Sequence, residues 1–112
     1  MARRKSEQFA TNEVDMGNIA KALGHPARIK IVSLLLGQGE MNCKQIVAEL
    51  PLSQSTVSQH LAELKQAGVI HGRGFRTSML YSLEKETLKS LHGMLGDMLF
   101  PKTKQPVQAS LF

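Results

Sequence analysis

The sequence contains one cysteine, Cys43, no tryptophan and one tyrosine. A single thiol cannot close an intrachain disulfide, so a secreted disulfide scaffold is excluded. With so few aromatic residues, a core has to be built from aliphatic side chains and methionine. No apolar run approaches the roughly 18 to 20 residues needed to cross a bilayer. The opening MARRKSEQF is basic but is followed by no apolar segment of the kind a secretory signal carries. A cytoplasmic protein with no membrane partner is therefore expected. A Gly-rich phosphate loop, a carboxylate pair suited to a cleft and a nucleophile with a nearby base are also missing. An enzyme is not expected, and no catalytic residue or cofactor is assigned.

What is present fits a single globular domain. The chain has 112 residues, 42% of them hydrophobic, enough for one modest core if helices pack well or a partner covers further apolar surface. Fourteen Lys and Arg against nine Asp and Glu give a net charge of +5. The isoelectric point near 9.7 is a footprint of polyanion binding, and a homodimer would carry about twice the charge.

Residues 1–8 are polar and basic and read as a loose arm. A helix is expected over 9–23, with Val14, Ile19, Ala20 and Leu23 on an irregular apolar face. GHP at 24–26 is a breaker, with Pro26 suited to the first turn of the next helix. ARIKIVSLLL then reads as a largely buried helix, with Ile29, Val32, Leu35 and Leu36 at helical spacing and Ile31 and Leu34 widening the face. GQGE is a turn. Asn42 is the expected N-cap of CKQIVAEL, Pro51 ends that helix, and Ser53 caps the next, which runs over 54–67 to a stop at Gly68. Two short helices joined by a tight turn form a helix-turn-helix. VIHGRG and TSMLYSL are short and rich in β-branched and aromatic residues. They are expected to form a β-hairpin over 69–83, bent at a Gly-Phe-Arg tip that Gly72 and Gly74 make possible. The last helix carries Leu88, Leu91, Leu95 and Met98 at helical spacing, with Met94 and Leu99 beside them. From Phe100 to 112 the chain has no periodicity and reads as a flexible tail.

The expected fold is therefore mainly α, an α+β winged helix spanning 9–99: helix, helix, helix, turn, helix, β-hairpin, helix. Helix 54–67 has an unusual opening, QSTVSQ. On a helical wheel of about 100° per residue, Leu61 and Leu64 fall within about 40° of Val57, and Ser55, Gln59, Ala62 and Gln66 point nearly opposite. Short hydrogen-bonding side chains on an outward face suit the edges of bases in a major groove, where Gln can pair bidentately with adenine and Ser and Thr can donate or accept. Arg73 and Arg76 on the hairpin suit phosphates or a minor groove, and Lys44 and Gln45 open the preceding helix, whose dipole favours a phosphate. Double-stranded DNA is the expected partner. Its expected contacts are Lys44, Gln45, Gln54, Ser55, Thr56, Ser58, Gln59, His60, Lys65, Arg73 and Arg76. His60 is placed at the boundary of the apolar stripe, within reach of a phosphate.

LGHPARIKIVSLLL, LSQSTVSQHLAELKQAGVI and GRGFRTSMLYSL, in this order and spacing over about residues 15–98, resemble the ArsR/SmtB family of bacterial transcriptional regulators. The resemblance implies a homodimeric winged-helix repressor on an inverted-repeat operator. Its dimer uses the first and last helices, which would put Ile19, Leu23, Leu88, Leu91, Leu95 and Met98 at the interface; the alternative for these faces is packing within one chain. The family's common metal sites do not carry over. Where two thiolates one residue apart would be expected, EMNCKQI has Asn42 and Lys44 around Cys43, and a lysine ammonium opposes a soft cation. On the last helix, His92 and Asp97 are five apart and do not share a face. No metal ligand is assigned, the effector is open, and Cys43 is expected to be a buried, small apolar residue. Two other readings remain: a metal- or redox-responsive sensor with an unrecognised site, and a winged-helix module that binds protein rather than DNA.

Overall fold

A computed structural model of the chain describes residues 9–101; the expected arm at 1–8 and all but the start of the expected tail lie outside the described residues. The elements run α1 (Thr11–Leu23), α2 (Pro26–Gln38), β1 (Met41–Asn42), α3 (Cys43–Val47), α4 (Gln54–Gln66), β2 (Ile70–Phe75), β3 (Ser78–Leu83) and α5 (Lys85–Leu99). This is the winged-helix order expected from the sequence, with one addition. β1 pairs with β3, Met41 opposite Tyr81 and Asn42 opposite Leu80, so the hairpin is part of a three-stranded antiparallel sheet ordered β1-β3-β2.

Local chemistry accounts for the element boundaries. The His25 side chain caps α2 by accepting from the Ala27 N–H, and Pro26 occupies the first turn, where its missing N–H costs nothing. α2 runs through Gly37 to Gln38 and stops at Gly39, whose φ of 86° is left-handed. At α3 a reciprocal capping box is formed: Asn42 Oδ1 accepts from Gln45 N at 2.8 Å, and Asn42 N donates to Gln45 Oε1 at 2.8 Å. α3 is shorter than the expected 43–50. After Ala48, Glu49 N bonds to Ile46 O and Leu50 N to Val47 O, so the chain tightens into i→i+3 turns before Pro51. A five-residue helix leans on its cap. Asn42→Ala is expected to cost about 1 kcal/mol of stability, and a urea titration that moves by less than a few tenths would contradict it.

α4 begins at the Ser53 cap, whose Oγ accepts from Thr56 N at 3.3 Å. It ends in a Schellman motif: Gly68, with φ 76°, donates to Lys65 O, and Val69 donates to Leu64 O. That reversal drops Val69 and Ile70 straight into the interior and sets where the hairpin starts. The core gathers Ile31 and Leu35 of α2, Ile46 of α3, Val57, Leu61 and Leu64 of α4, Val69, Ile70 and Leu83 of the hairpin, and Leu91 of α5.

α2 corrects the expectation of a largely buried helix. Ala27, Ile31 and Leu35 are buried, whereas Ile29 is 50% and Leu36 66% exposed. Apolar residues lie on most sides of the run, with Arg28, Lys30 and Ser33 scattered among them, so periodicity alone does not pick the inward face. Packing against α4 and the sheet does.

Candidate nucleic-acid interface

The stripe expected to hold α4 down is fully buried: Val57, Leu61 and Leu64 all lie in the core. Ser55, Gln59, Ala62 and Gln66 are exposed opposite it, and Gln54, Thr56 and Ser58 are exposed on its flanks. The polar opening of the helix is internally organised. Ser53 Oγ donates to Thr56 Oγ1 at 2.9 Å and lies 3.2 Å from Ser55 Oγ. Thr56 accepts through its oxygen, so its own hydroxyl remains available to donate. Ser58 leans toward α3, its Oγ 3.6 Å from Cys43 Sγ. Cys43 is only half-buried, not buried as expected, because α3 turns its first residue toward the start of α4. It neighbours Tyr81, whose hydroxyl is held above its ordinary pKa by burial. Lys44 and Gln45 are exposed at the α3 N-terminus, although the Gln45 amide oxygen is committed to the capping box. Lys65 is exposed in the last turn of α4.

His60 departs from its expected boundary position. It is 8% exposed and turned inward. Its Nδ1 accepts from Arg28 Nε at 3.0 Å, and its ring lies 4.5 Å from that of His25. Arg28 also donates to Ala22 O at 3.2 Å, so one guanidinium ties α1, α2 and α4 together. Burial, then the neighbouring His25 imidazole and Arg28 guanidinium, hold the His60 pKa below its ordinary value. As placed, His60 is a core group rather than a phosphate contact. Arg28 carries no mark in the sequence, because its partner lies 32 residues away and no local pattern singles it out.

The hairpin differs in detail from the expected one. The strands turn through Arg76 and Thr77, between Phe75 and Ser78. Gly72 and Gly74 sit within β2, opposite Tyr81 and Met79, rather than at the bend. A Cβ at Gly72 would lie 2.9 Å from Met79 Sδ. The Met79 side chain folds over Gly72 and would have to shift to admit a larger residue there.

The residue that does adopt a left-handed conformation is Arg76, at φ 57°. Glycine would take that conformation without strain; here the tip carries a guanidinium instead. Arg73 makes a two-pronged bond to Glu40, Nε to Oε2 at 2.7 Å and Nη2 to Oε1 at 3.0 Å. The guanidinium holds the Glu40 carboxyl below the usual carboxylate range. The two arginines flank the exposed Phe75 ring, at 5.6 and 5.5 Å from its centroid, a cation–π arrangement. Arg76 makes the tip positive, while the charge of Arg73 is matched by Glu40.

At the base of the hairpin His71 bonds Glu84 through Nδ1 and Ser82 Oγ through Nε2, the latter at 2.8 Å. The expectation that no nucleophile has a base nearby is therefore incorrect. This Ser-His-Glu chain lies on the open face of the sheet, where Ser82 is the cross-strand partner of His71, and it fastens the two strands together.

The six residues expected at a dimer interface divide. Ile19 and Leu91 are buried in the chain's own core, and Leu23 and Leu88 pack partly against it. Leu95 and Met98 are exposed, together with Leu99 and Phe100 at the end of α5. Among the described residues no three His, Cys, Asp or Glu side chains are grouped as metal ligands would be, and no helix is long and apolar enough to cross a membrane.

Comparison with known proteins agrees with this geometry. The family model described as bacterial regulatory protein, arsR family, matches residues 25–71, from the His25 cap to the first residues of the wing. The transcriptional repressor SdpR of Bacillus subtilis is 38% identical over 82 residues, covering 72% of this chain and 90% of the relative. The biofilm growth-associated repressor of Xylella fastidiosa is 30% identical over 105 residues, 94% of this chain and 89% of the relative. Among solved structures, HlyU from Vibrio cholerae superposes with a TM-score of 0.66 at 28% identity, over 82% of this chain and 98% of that one. Its curated sequence is described as a transcriptional activator.

Proposed function

The chain belongs to the arsR family of bacterial regulatory proteins, DNA-binding transcriptional regulators rather than enzymes, and from that premise we propose that it recognises an inverted-repeat operator as a homodimer and represses transcription there. α4 reads bases in the major groove through Gln54, Ser55, Thr56, Ser58 and Gln59. The wing, residues 69–83, meets the flanking backbone through Arg76, with Lys44, Gln45 and Lys65 on phosphates nearby. Arg73 joins them where DNA draws it from Glu40.

The observation that carries the reading is the exposed, pre-bonded hydroxyl cluster on α4, together with a wing tip that keeps arginine in a glycine-favouring conformation. A strained non-glycine residue at an exposed tip points to a use for its side chain. Residues 9–99 act as one DNA-binding and dimerising domain. The exposed Leu95, Met98, Leu99 and Phe100 form the dimer contact on α5, with Leu23 and Leu88 at its margin. Repression is favoured by the relatives named as repressors.

Selection from a random duplex pool tests the claim of specificity: a recovered motif with two-fold symmetry is expected, and recovery of no motif would defeat it. Arg76→Gly tests the wing. It keeps the turn unstrained and removes one charge per protomer, two per bound dimer, so affinity falls for all sequences alike and the slope of log K against log salt flattens by about 2. An unchanged slope would remove Arg76 from the interface.

A further inference from the structure

We infer that Arg28, His60 and His25 form a positioning cluster for α4 whose hydrogen bonds require both imidazoles to be neutral, so that DNA binding weakens when the pair takes up a proton. The inference rests on the reading of α4 as the helix that enters the groove.

The hydrogen-bond roles decide the tautomers. The Ala27 N–H and the Arg28 Nε–H are obligatory donors. Each points at an Nδ1, that of His25 and that of His60 respectively, at 3.0 Å in both cases. Both Nδ1 atoms must therefore present a lone pair, and each neutral ring carries its hydrogen on Nε2. A further proton can go only to an Nδ1. On His60 it turns the acceptor into a donor facing a guanidinium; on His25 it removes the cap of α2. The rings are 4.5 Å apart, so a charge on one opposes a charge on the other. Burial of His60 acts in the same direction.

Among the described residues no carboxylate is paired with either imidazole. Lys21 of α1 and Glu63 of α4 line the cleft beside Arg28, and Lys30 of α2 and Glu49 of the α3–α4 turn line the hollow beside His25. One cation and one carboxylate stand on each side. Neither carboxylate is among the ion pairs of the described residues.

His60 lies one residue past Gln59, on the same turn as the exposed reading face. Breaking its bond to Arg28 frees α4 from α2 and from the end of α1 together, since Arg28 holds Ala22 O as well. A groove-reading helix that shifts by a fraction of a turn loses its base contacts while its charge is unchanged. Specific binding is thus affected before non-specific binding.

The probe is the duplex recovered from the random pool, with a scrambled duplex as control. Affinity is followed by fluorescence anisotropy at constant ionic strength between about pH 7.5 and about pH 5.5. The wild-type protein is expected to lose about fivefold or more in specific affinity across this range, with little loss on the scrambled duplex. The pair His25→Asn and His60→Gln keeps an acceptor at each position but removes the titration, and is expected to flatten the profile to within about twofold. Circular dichroism at each pH confirms folding. A flat or rising wild-type profile overturns the inference, as does a double variant that falls in parallel with wild type. Recovery of no duplex at neutral pH would instead defeat the underlying DNA-binding reading. If the double variant does not fold, the imidazole nitrogen shifts of the wild-type protein decide. The Nε2–H form on both rings and a lower His60 titration midpoint in the DNA complex than in the free protein are expected. An Nδ1–H tautomer or an unmoved midpoint overturns the inference.

Discussion

Leu61→Ala is expected to lower the unfolding free energy by about 2 to 5 kcal/mol, the cost of lost burial plus the cavity left behind. Leu61 is 1% exposed and lies between Val57 and Leu64, both at 0%. The three form the stripe that seats α4 in a core shared with Ile31, Leu35 and Ile46. Elements on several sides converge there, so the neighbourhood cannot collapse into the gap without moving a helix. A domain of this size has only about 5–15 kcal/mol in total, so the variant sits near the edge of folding. Urea unfolding followed by circular dichroism measures the change. Protein concentration must be held fixed, because the proposed dimerisation would add to the apparent stability by mass action. A loss below about 1 kcal/mol would mean that α4 is not seated as described.

On the other face of the same helix, Gln59→Ala is expected to leave stability unchanged or raise it by a few tenths of a kcal/mol, since alanine is the better helix former. Its effect falls on recognition. Loss of a bidentate contact removes about 1 to 3 kcal/mol of discrimination at one base position of each half-site. Ser55→Ala should do the same at a neighbouring position, with a smaller loss, because its hydroxyl also lies within bonding distance of Ser53. Competition binding against a panel of single-base operator variants reads this directly. If Gln59→Ala weakens every sequence equally, Gln59 touches backbone rather than bases. If it changes nothing, the reading face lies elsewhere.

Much of this protein is legible in its amino-acid order, because much of it is decided within a few residues. The N-cap roles of Asn42 and Ser53, the stop at Gly68 and the inward stripe on α4 are all set by neighbours one turn away. The two-turn polar opening of α4 is equally plain, since three apolar residues suffice to seat it. Periodicity fails where it is ambiguous. α2 has apolar residues on most of its sides, and its spacing places Ile29 and Leu36 inside when they are outside. The two-residue strand β1 carries no signal of its own; it exists because Tyr81 and Leu80 offer it an edge.

The sequence by itself determined the order of the helices and the hairpin, hence the winged helix-turn-helix, because caps, breakers and hydrophobic period act locally; the family was legible only through the resemblance of three motifs in their order and spacing. Only the tertiary structure decided which polar groups are spoken for. Arg73 is bound to Glu40, 33 residues earlier, and His60 to Arg28, 32 residues earlier. A buried or paired side chain is chosen by what the fold brings beside it, which no spacing along the chain records. Arg76 went the other way: only the folded hairpin shows that it occupies a backbone conformation better suited to glycine, leaving its charge at the tip of the wing.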